Sequence, residues 1–410
     1  MTGVTLYLIQ ISAICAVSQG FLFDDQVCFE SCSCRRGNID CRNKNLVVLP
    51  SFYVTTGLAN QLATSDRVLM IKLNDNHLKT IPSHAFTNLT ATDARYFYFY
   101  LSDNQISEID ESAFAGFEGR VIQLFLTNNR LTSVPGVISR LTLPYLDISG
   151  NPLRTFGALA DVSIYELHVE LSSVTTWPQP LTSTRVNKTL YIDGYNSETL
   201  DGFIESEQLV SLHISETKLV DLSYLSCNAT NVSMLSEIYF RNNEKLDVSS
   251  LHLCNGSLNI RRLSIRGAHL PSVPSSLRMW PELVNLDLSN NSITALTDEN
   301  FKGLSQLEEL YISQNPINSI SLDAFATNVK LNSVHFQQTA LATFPLALTR
   351  LVSSPLNLAF TYPMYVQCEC DVLTQLAQIN GTRTLGRVYC ITQSSVDVLE
   401  AFDKILPKCH

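Results

Sequence analysis

Four stretches of this chain are written on one frame. MIKLNDNHLKTIPSHAF (70–86), YFYLSDNQISEIDESAF (98–114), NLDLSNNSITALTDENF (285–301) and ELYISQNPINSISLDAF (309–325) share LxLxxNxLxxL and a Phe ten residues after the Asn. A unit this short cannot bury its own apolar face, so a chain built from such units must stack them on one another. The apolar anchor before the LxxN turn recurs as Ile71, Phe99, Leu124, Leu146, Leu167, Leu190, Leu212, Ile238, Leu263, Leu286, Leu310, Val334 and Leu356, giving about thirteen units spaced 21 to 28 residues apart. Asn completes the frame at 76, 104, 129, 151, 243, 291 and 315. Ser172, Tyr195, Thr217, Ala268, Thr339 and Thr361 stand there in other units, so the turn is expected to be less regular through the fifth to ninth units.

The frame resembles the leucine-rich repeat. That resemblance implies an α/β solenoid, a curved right-handed superhelix with a parallel β-sheet on its concave face. Each LxL is then a short strand with its apolar residues inward, and the buried Asn satisfies backbone groups where the chain turns away. Strands pair at about 4.8 Å, so thirteen units make a rod roughly 60 Å long.

Cysteines bracket the repeats. CFESCSCRRGNIDC (28–41) precedes them with the spacing Cx3CxCx6C, and CEC (368–370), Cys390 and Cys409 follow with CxCx19Cx18C. Spacing alone permits three pairings in each set of four, and a zinc site is the rival reading. Both sets resemble the cysteine-rich caps of extracellular leucine-rich repeat proteins, such as Toll-type receptors, Slit-type guidance proteins, small matrix proteoglycans and lamprey variable lymphocyte receptors. The resemblance implies Cys28–Cys34, Cys32–Cys41, Cys368–Cys390 and Cys370–Cys409. The second cap departs from the usual pattern, with CECDVLTQLAQ lacking a Trp after CxC. Cys227 and Cys254 lie 27 residues apart, as do Leu219 and Leu246 of adjacent units. Stacked equivalents sit about 5 Å apart, within reach of a disulfide.

The first residues, MTGVTLYLIQISAICAVSQG, are apolar, uncharged and end in small residues, which reads as a secretory signal peptide. The expected organisation is a leader at 1–20, an N-terminal cap at 21–60, repeats at 61–362 and a C-terminal cap at 363–410. Seven N-x-[ST] sequons, at Asn88, Asn187, Asn228, Asn231, Asn255, Asn290 and Asn380, fit an extracellular glycoprotein. The net charge of −10 argues against nonspecific nucleic-acid binding. No later apolar run reaches membrane-spanning length, so a secreted protein without membrane insertion is expected.

Residues directly after each anchor form one outward column: Lys72, Tyr100, Phe125, Asp147, His168, Tyr191, His213, Tyr239, Ser264, Asp287, Tyr311, His335 and Asn357. Aromatic residues are economical contact residues because little entropy is lost on fixing them, although they also simply favour strands. In the run Tyr96–Tyr100, the frame places Tyr96 and Phe99 inward and Tyr98 and Tyr100 outward, with Phe97 at the strand entrance. Removal of Tyr98 and Tyr100 is expected to leave folding intact. Asp147, Glu166, Glu170, Asp193, Glu216 and Glu237 make the centre acidic, and Arg241, Arg262 and Arg266 form a basic spot after it. His168 and His213 lie two units apart, too far for a shared metal, but protonation near pH 6 would alter a contact there.

GxSxG, HExxH, GxGxxG and GxxxxGK[ST] do not occur. No catalytic, metal or cofactor site is expected. The sequence therefore points to a secreted binding protein, with Tyr98, Tyr100, Phe125, His168, Tyr191, His213, Tyr239, Arg262, Arg266, Tyr311 and His335 as contacts for an extracellular protein or glycan. Its rivals are a matrix component and the ectodomain of a longer receptor.

Overall fold

The computed structural model describes residues 26–408 apart from 30–31, 36, 53–66, 228, 253–257, 342–343, 352–356, 360–363, 367–368, 378–387, 391–395, 398–399 and 402–404. The expected leader, the Cys227–Cys254 pair, and the sequons at Asn228, Asn255 and Asn380 lie outside the described residues or side chains.

One sheet runs the length of the molecule, and its strand order follows the chain. Gln26–Phe29, Cys32–Arg35 and Asn38–Asp40 pair antiparallel at the N-terminal end. From Asn38–Asp40 onward every neighbour is parallel, as far as Asn357–Ala359. Parallel neighbours need a crossover, and here it runs around the back through 3-10 turns such as Gly136–Arg140 and Ser275–Met279. The anchors from Ile71 to Val334 pair with one another in a single row, including the units without a frame Asn. The last anchor is corrected: Val334 pairs with Leu358, not Leu356, and Ala359 replaces Asn357 as the residue opposite His335. Apolar residues at both 356 and 358 fit a period of two, and only the ladder of the preceding strand decides between them.

The core is a file of anchors backed by phenylalanines. Phe86, Phe114, Phe301 and Phe325, each ten residues after a frame Asn, are fully buried. Phe86 meets Phe99 at 4.6 Å and Phe114 at 5.1 Å between ring centroids, and Phe97 meets Phe117 edge-on at 4.8 Å. The run Tyr96–Tyr100 must be reassigned. Tyr96 is 43% exposed and Phe97 is fully buried, so 97, 99 and 101 face inward while 96, 98 and 100 face outward. Strict alternation also governs Leu69, Ile71 and Leu73 before it and Ile122, Leu124 and Leu126 after it. At the next pairing the register slips between Val121 and Gln123, and the first inward residue moves to three before the anchor, as in Leu143 and Ile164.

Frame asparagines stitch each unit to the one before. Asn104 accepts from Leu78 N at 3.0 Å and donates to Leu73 O at 3.0 Å and to Leu101 O of its own unit at 3.1 Å. Asn129, Asn151, Asn291 and Asn315 repeat the scheme, and Asn76 reaches Cys41 O and the amides of Lys44 and Leu46 in the first cap. The residue just before the frame Asn is left-handed throughout, from Asp75 and Asp103 to Gln314. Glycine is required before Asn151, where a Cβ on Gly150 would lie 2.2 Å from Asn128 Oδ1 and 2.8 Å from Asn128 N; before Ala268, a Cβ on Gly267 would lie 2.4 Å from the side-chain tip of Asn242.

Cys32 and Cys41 are bonded, with Cα atoms 4.4 Å apart, matching the second-to-fourth pairing of the first set. Cys34, Cys370 and Cys390 are also in disulfides, and the partners implied for them lie outside the described side chains. Met364–Val366, Val388–Cys390 and Val396–Asp397 form a small sheet beside the helix Cys370–Ala377 at the C-terminal end.

Candidate binding face

The outward column closes into a continuous stack of rings. Tyr100 lies on Phe125 with centroids 4.5 Å apart and planes at 12°. Phe125 leans on Tyr145 at 4.6 Å, and Tyr145 on His168 at 5.3 Å. His168 stacks on Tyr191 at 3.8 Å, Tyr191 on His213 at 4.1 Å, and His213 on Tyr239 at 4.3 Å. A separate pair, Tyr311 on His335 at 4.3 Å, stands further along. Strand spacing of about 4.8 Å is close to the thickness of a stacked ring, so aromatic residues in one register column meet face to face.

Tyr145 was not among the residues expected from the sequence. The column position of its strand is Asp147, which would interrupt the stack. Tyr145 sits two residues earlier, on the same face, and its ring leans across the gap. The alternation rule was the signal that could have found it. Tyr98 faces outward beside Met70 and Gln123 and lies outside the stack.

Stacking alters what these side chains present. Their faces are spent on one another, and several polar tips are engaged as well, His168 Nε2 by Glu166, His213 Nε2 by Ser211 Oγ at 3.1 Å and the Tyr239 hydroxyl by Glu237. Tyr100 therefore also packs against the neighbouring unit through Phe125. Burial pushes the hydroxyls of Tyr100, Tyr145 and Tyr191 above the usual phenol range, and burial with the neighbouring Glu237 raises Tyr239 to about 12. His213, between two tyrosines, is lowered by burial, and by nearby His168, to about 4. It stays neutral at pH 6, which corrects the expected switch at that residue.

Acids line the stack and several are engaged. His168 Nε2 lies 2.9 Å from Glu166 Oε1, Tyr239 donates to Glu237 at 3.2 Å, and Ser215 donates to Asp193. Burial raises Asp193 above the ordinary carboxylate range. The basic spot is largely balanced: Arg262 binds Glu237 at 2.7 Å and Arg266 lies 3.7 Å from Asp287. Arg241 is exposed and forms no ion pair among the described residues. Among the described residues, no group of three or more His, Cys, Asp or Glu is placed to hold a metal ion, and no helix is long and apolar enough to cross a membrane.

Comparison with known proteins agrees with this architecture. The leucine-rich repeat profile matches residues 98–153 and 281–341. Podocan of Mus musculus is 31% identical over 149 residues, covering 35% of this chain and 23% of podocan. Osteomodulin of Rattus norvegicus is 27% identical over 218 residues, 50% of this chain and 43% of osteomodulin. The volume-regulated anion channel subunit LRRC8D of Rattus norvegicus is 26% identical over 231 residues, 53% of this chain and 26% of that subunit. The chain thus spans less than half the length of each of these curated relatives. A solved TLR13–ssRNA13 complex aligns with a TM-score of 0.44 at 17% identity, covering 84% of this chain and 59% of that one. Sheet, frame asparagines and first cap define a capped solenoid with one ring-lined face. The chain carries leucine-rich repeats at the matched residues and folds as a leucine-rich repeat solenoid.

Proposed function

We propose that the protein is a secreted recognition protein that binds a partner protein across its concave sheet, with the rings from Tyr100 to Tyr239 as the centre of contact. The observation that carries this is the continuous stack itself. Rings already held by their neighbours lose little further freedom on binding, so contact energy is not offset by ordering. Their edges and hydroxyls suit the mixed polar and apolar surface of a protein, whereas sugars and bases are gripped by open ring faces. Acids beside the stack favour a partner with a basic surface. A leader cleaved near Gly20, two cysteine caps enclosing the repeats, and glycans at exposed Asn88, Asn187 and Asn290 belong to the same reading.

The test begins with proximity labelling by the mature protein to isolate a partner, followed by measured dissociation constants. Gln123→Arg adds charge on the outward face, in register with Tyr145, without removing any ring of the stack, and is expected to weaken binding at least about tenfold with unchanged melting. Lys302→Glu, on an exposed residue away from the sheet, is expected to change nothing. The reverse pattern would overturn the concave reading.

A further inference from the structure

One strand pair carries an extra residue. Between Ser163–Glu170 and Arg185–Asp193, Ile164 pairs with Val186 and Glu166 with Thr189, so Asn187 and Lys188 together oppose the single Tyr165. A bulge of this kind re-aims side chains, and both extra residues are exposed where strict alternation would turn one of them inward. Tyr165 is 48% exposed, and the inward Ile164 separates it from the exposed Ser163. Asn187 leans across the strand gap, its Nδ2 donating to Ser163 Oγ at 3.0 Å. Lys188 Nζ stands 5.3 Å from the centroid of the Tyr165 ring. Among the described residues no other ring or cation packs on Tyr165, so one of its faces is open.

Asn187, Lys188 and Thr189 also spell an N-x-[ST] sequon. The other exposed sequon asparagines are placed differently: Asn88 donates to Phe52 O at 2.8 Å, and Asn290 sits in a left-handed turn. An Asn side-chain nitrogen carries two hydrogens. At Asn187 one is held by Ser163, and the other is free to be replaced. Replacement is a transfer from a lipid-linked pyrophosphate oligosaccharide: the sugar C1–O bond breaks, C1 bonds to Nδ2, pyrophosphate leaves with the electron pair and Nδ2 gives up one proton. The N–H that remains keeps Ser163. A pyranose presents a face of C–H groups, which suits the electron-rich face of an aromatic ring. Neighbouring strands lie about 4.8 Å apart, close to the width of one sugar ring, so a sugar leaving Asn187 toward Ser163 reaches Tyr165.

We infer that Asn187 carries an N-linked glycan whose first sugar lies on the open face of Tyr165. The bulge is what sets the two residues opposite each other. Tyr165 is then a seat for the chain's own sugar and not an open contact for a partner. This inference rests on the secreted reading and adds to it a fixed place for one glycan.

The experiment uses the full mature protein from cells that leave glycans in the high-mannose form. Mass spectrometry of its peptides reads sugar occupancy at Asn187, and hydroxyl-radical footprinting reads the oxidation rate of Tyr165. Asn187 is expected to be occupied, and Asn187→Gln to oxidise at Tyr165 about twofold faster, because one of two ring faces is uncovered. Trimming with an endoglycosidase that leaves only the first sugar is expected to keep the slower rate. Tyr96, 43% exposed and flanked by Val68 and Val121, is the internal reference and is expected to be unchanged. Equal Tyr165 rates in the occupied protein and in Asn187→Gln overturn the seat, as does a trimmed protein that oxidises like Asn187→Gln. A bare Asn187 beside occupied Asn88 or Asn290 overturns it too and leaves the secreted reading standing. Absence of sugar at every sequon overturns both.

Discussion

Units 70–151 and the span 160–215 hold the same coil together by different means. In the first, strands of five or six residues are joined behind the sheet by frame asparagines, each linking two units through its side-chain amide. In the second, Ser172 and Tyr195 replace Asn. Ser172 turns to Glu170, and Tyr195 is buried, donating to Asp201 at 2.7 Å, where Trp177 N also binds at 2.8 Å. The strands there lengthen to eight and nine residues, Ser163–Glu170 and Arg185–Asp193, and the shortest ring contact on the concave face, His168 on Tyr191, joins them. Loss of the turn amide is met by more sheet hydrogen bonds and by face-to-face rings. The frame residue is thus one solution to unit-to-unit attachment, and a longer strand with a ring stack is another.

Breaking each device in turn tests that comparison. Asn129→Ala is expected to cost the most, about 3 kcal/mol, because Ile106 N is left buried without its acceptor while Leu101 O and Leu126 O each lose one of two amide donors, keeping only those of Asn104 and Asn151. Urea denaturation checks it, and a cost near that of a surface change would show that the amides are not the attachment. Tyr191→Ala removes two stacked contacts, to His168 and His213, and is expected to cost about 2 kcal/mol. The equivalent loss of Tyr239, which has one stacked neighbour, should cost less.

Acid affects the second region through His213. Its folded pKa, about 4, lies below the ordinary histidine value, so the unfolded chain binds the proton more readily. Its contribution is therefore intact above about pH 6.5 and is lost as pH falls toward 4, by roughly 1 kcal/mol or less once solvent screening is allowed for. Asp193, raised by burial, has the opposite sign, so the comparison must be made against His213→Asn. Thermal melts of both proteins between pH 7 and 4 should converge as the pH drops. Parallel curves would remove His213 from the account. Tyr96→Ala, outside both devices, is expected to shift stability by less than about 0.5 kcal/mol.

Much of the attachment was legible in the sequence, because spacing fixes it. The anchor row from Ile71 to Val334 and the buried phenylalanines follow from repeat length and frame alone. What escaped depends on neighbours. Tyr96 and Phe97 exchange roles because their strand alternates strictly, whereas most later units change step before the anchor. Tyr145 enters the stack only because Asp147 vacates it. Arg262 reads as a free cation until Glu237 of the adjoining strand is placed 2.7 Å away. His213 reads as a pH sensor until two tyrosines close over it.

The left-handed column decides where this chain can drift. Asp75, Asp103, Glu216, Gln314 and Gln338 all turn at φ between +54° and +59°, where any side chain bears a conformational cost and branched ones bear the most. Glycine would relax each of them, yet the reverse exchange is closed at Gly150, where Asn128 of the preceding unit fills the space of a Cβ with side chain and backbone alike. Mutational traffic through the turns is therefore largely one-way, toward glycine. Lasting variety has to accumulate on the strand positions that face the trough, where a new side chain meets a visitor before it meets the fold.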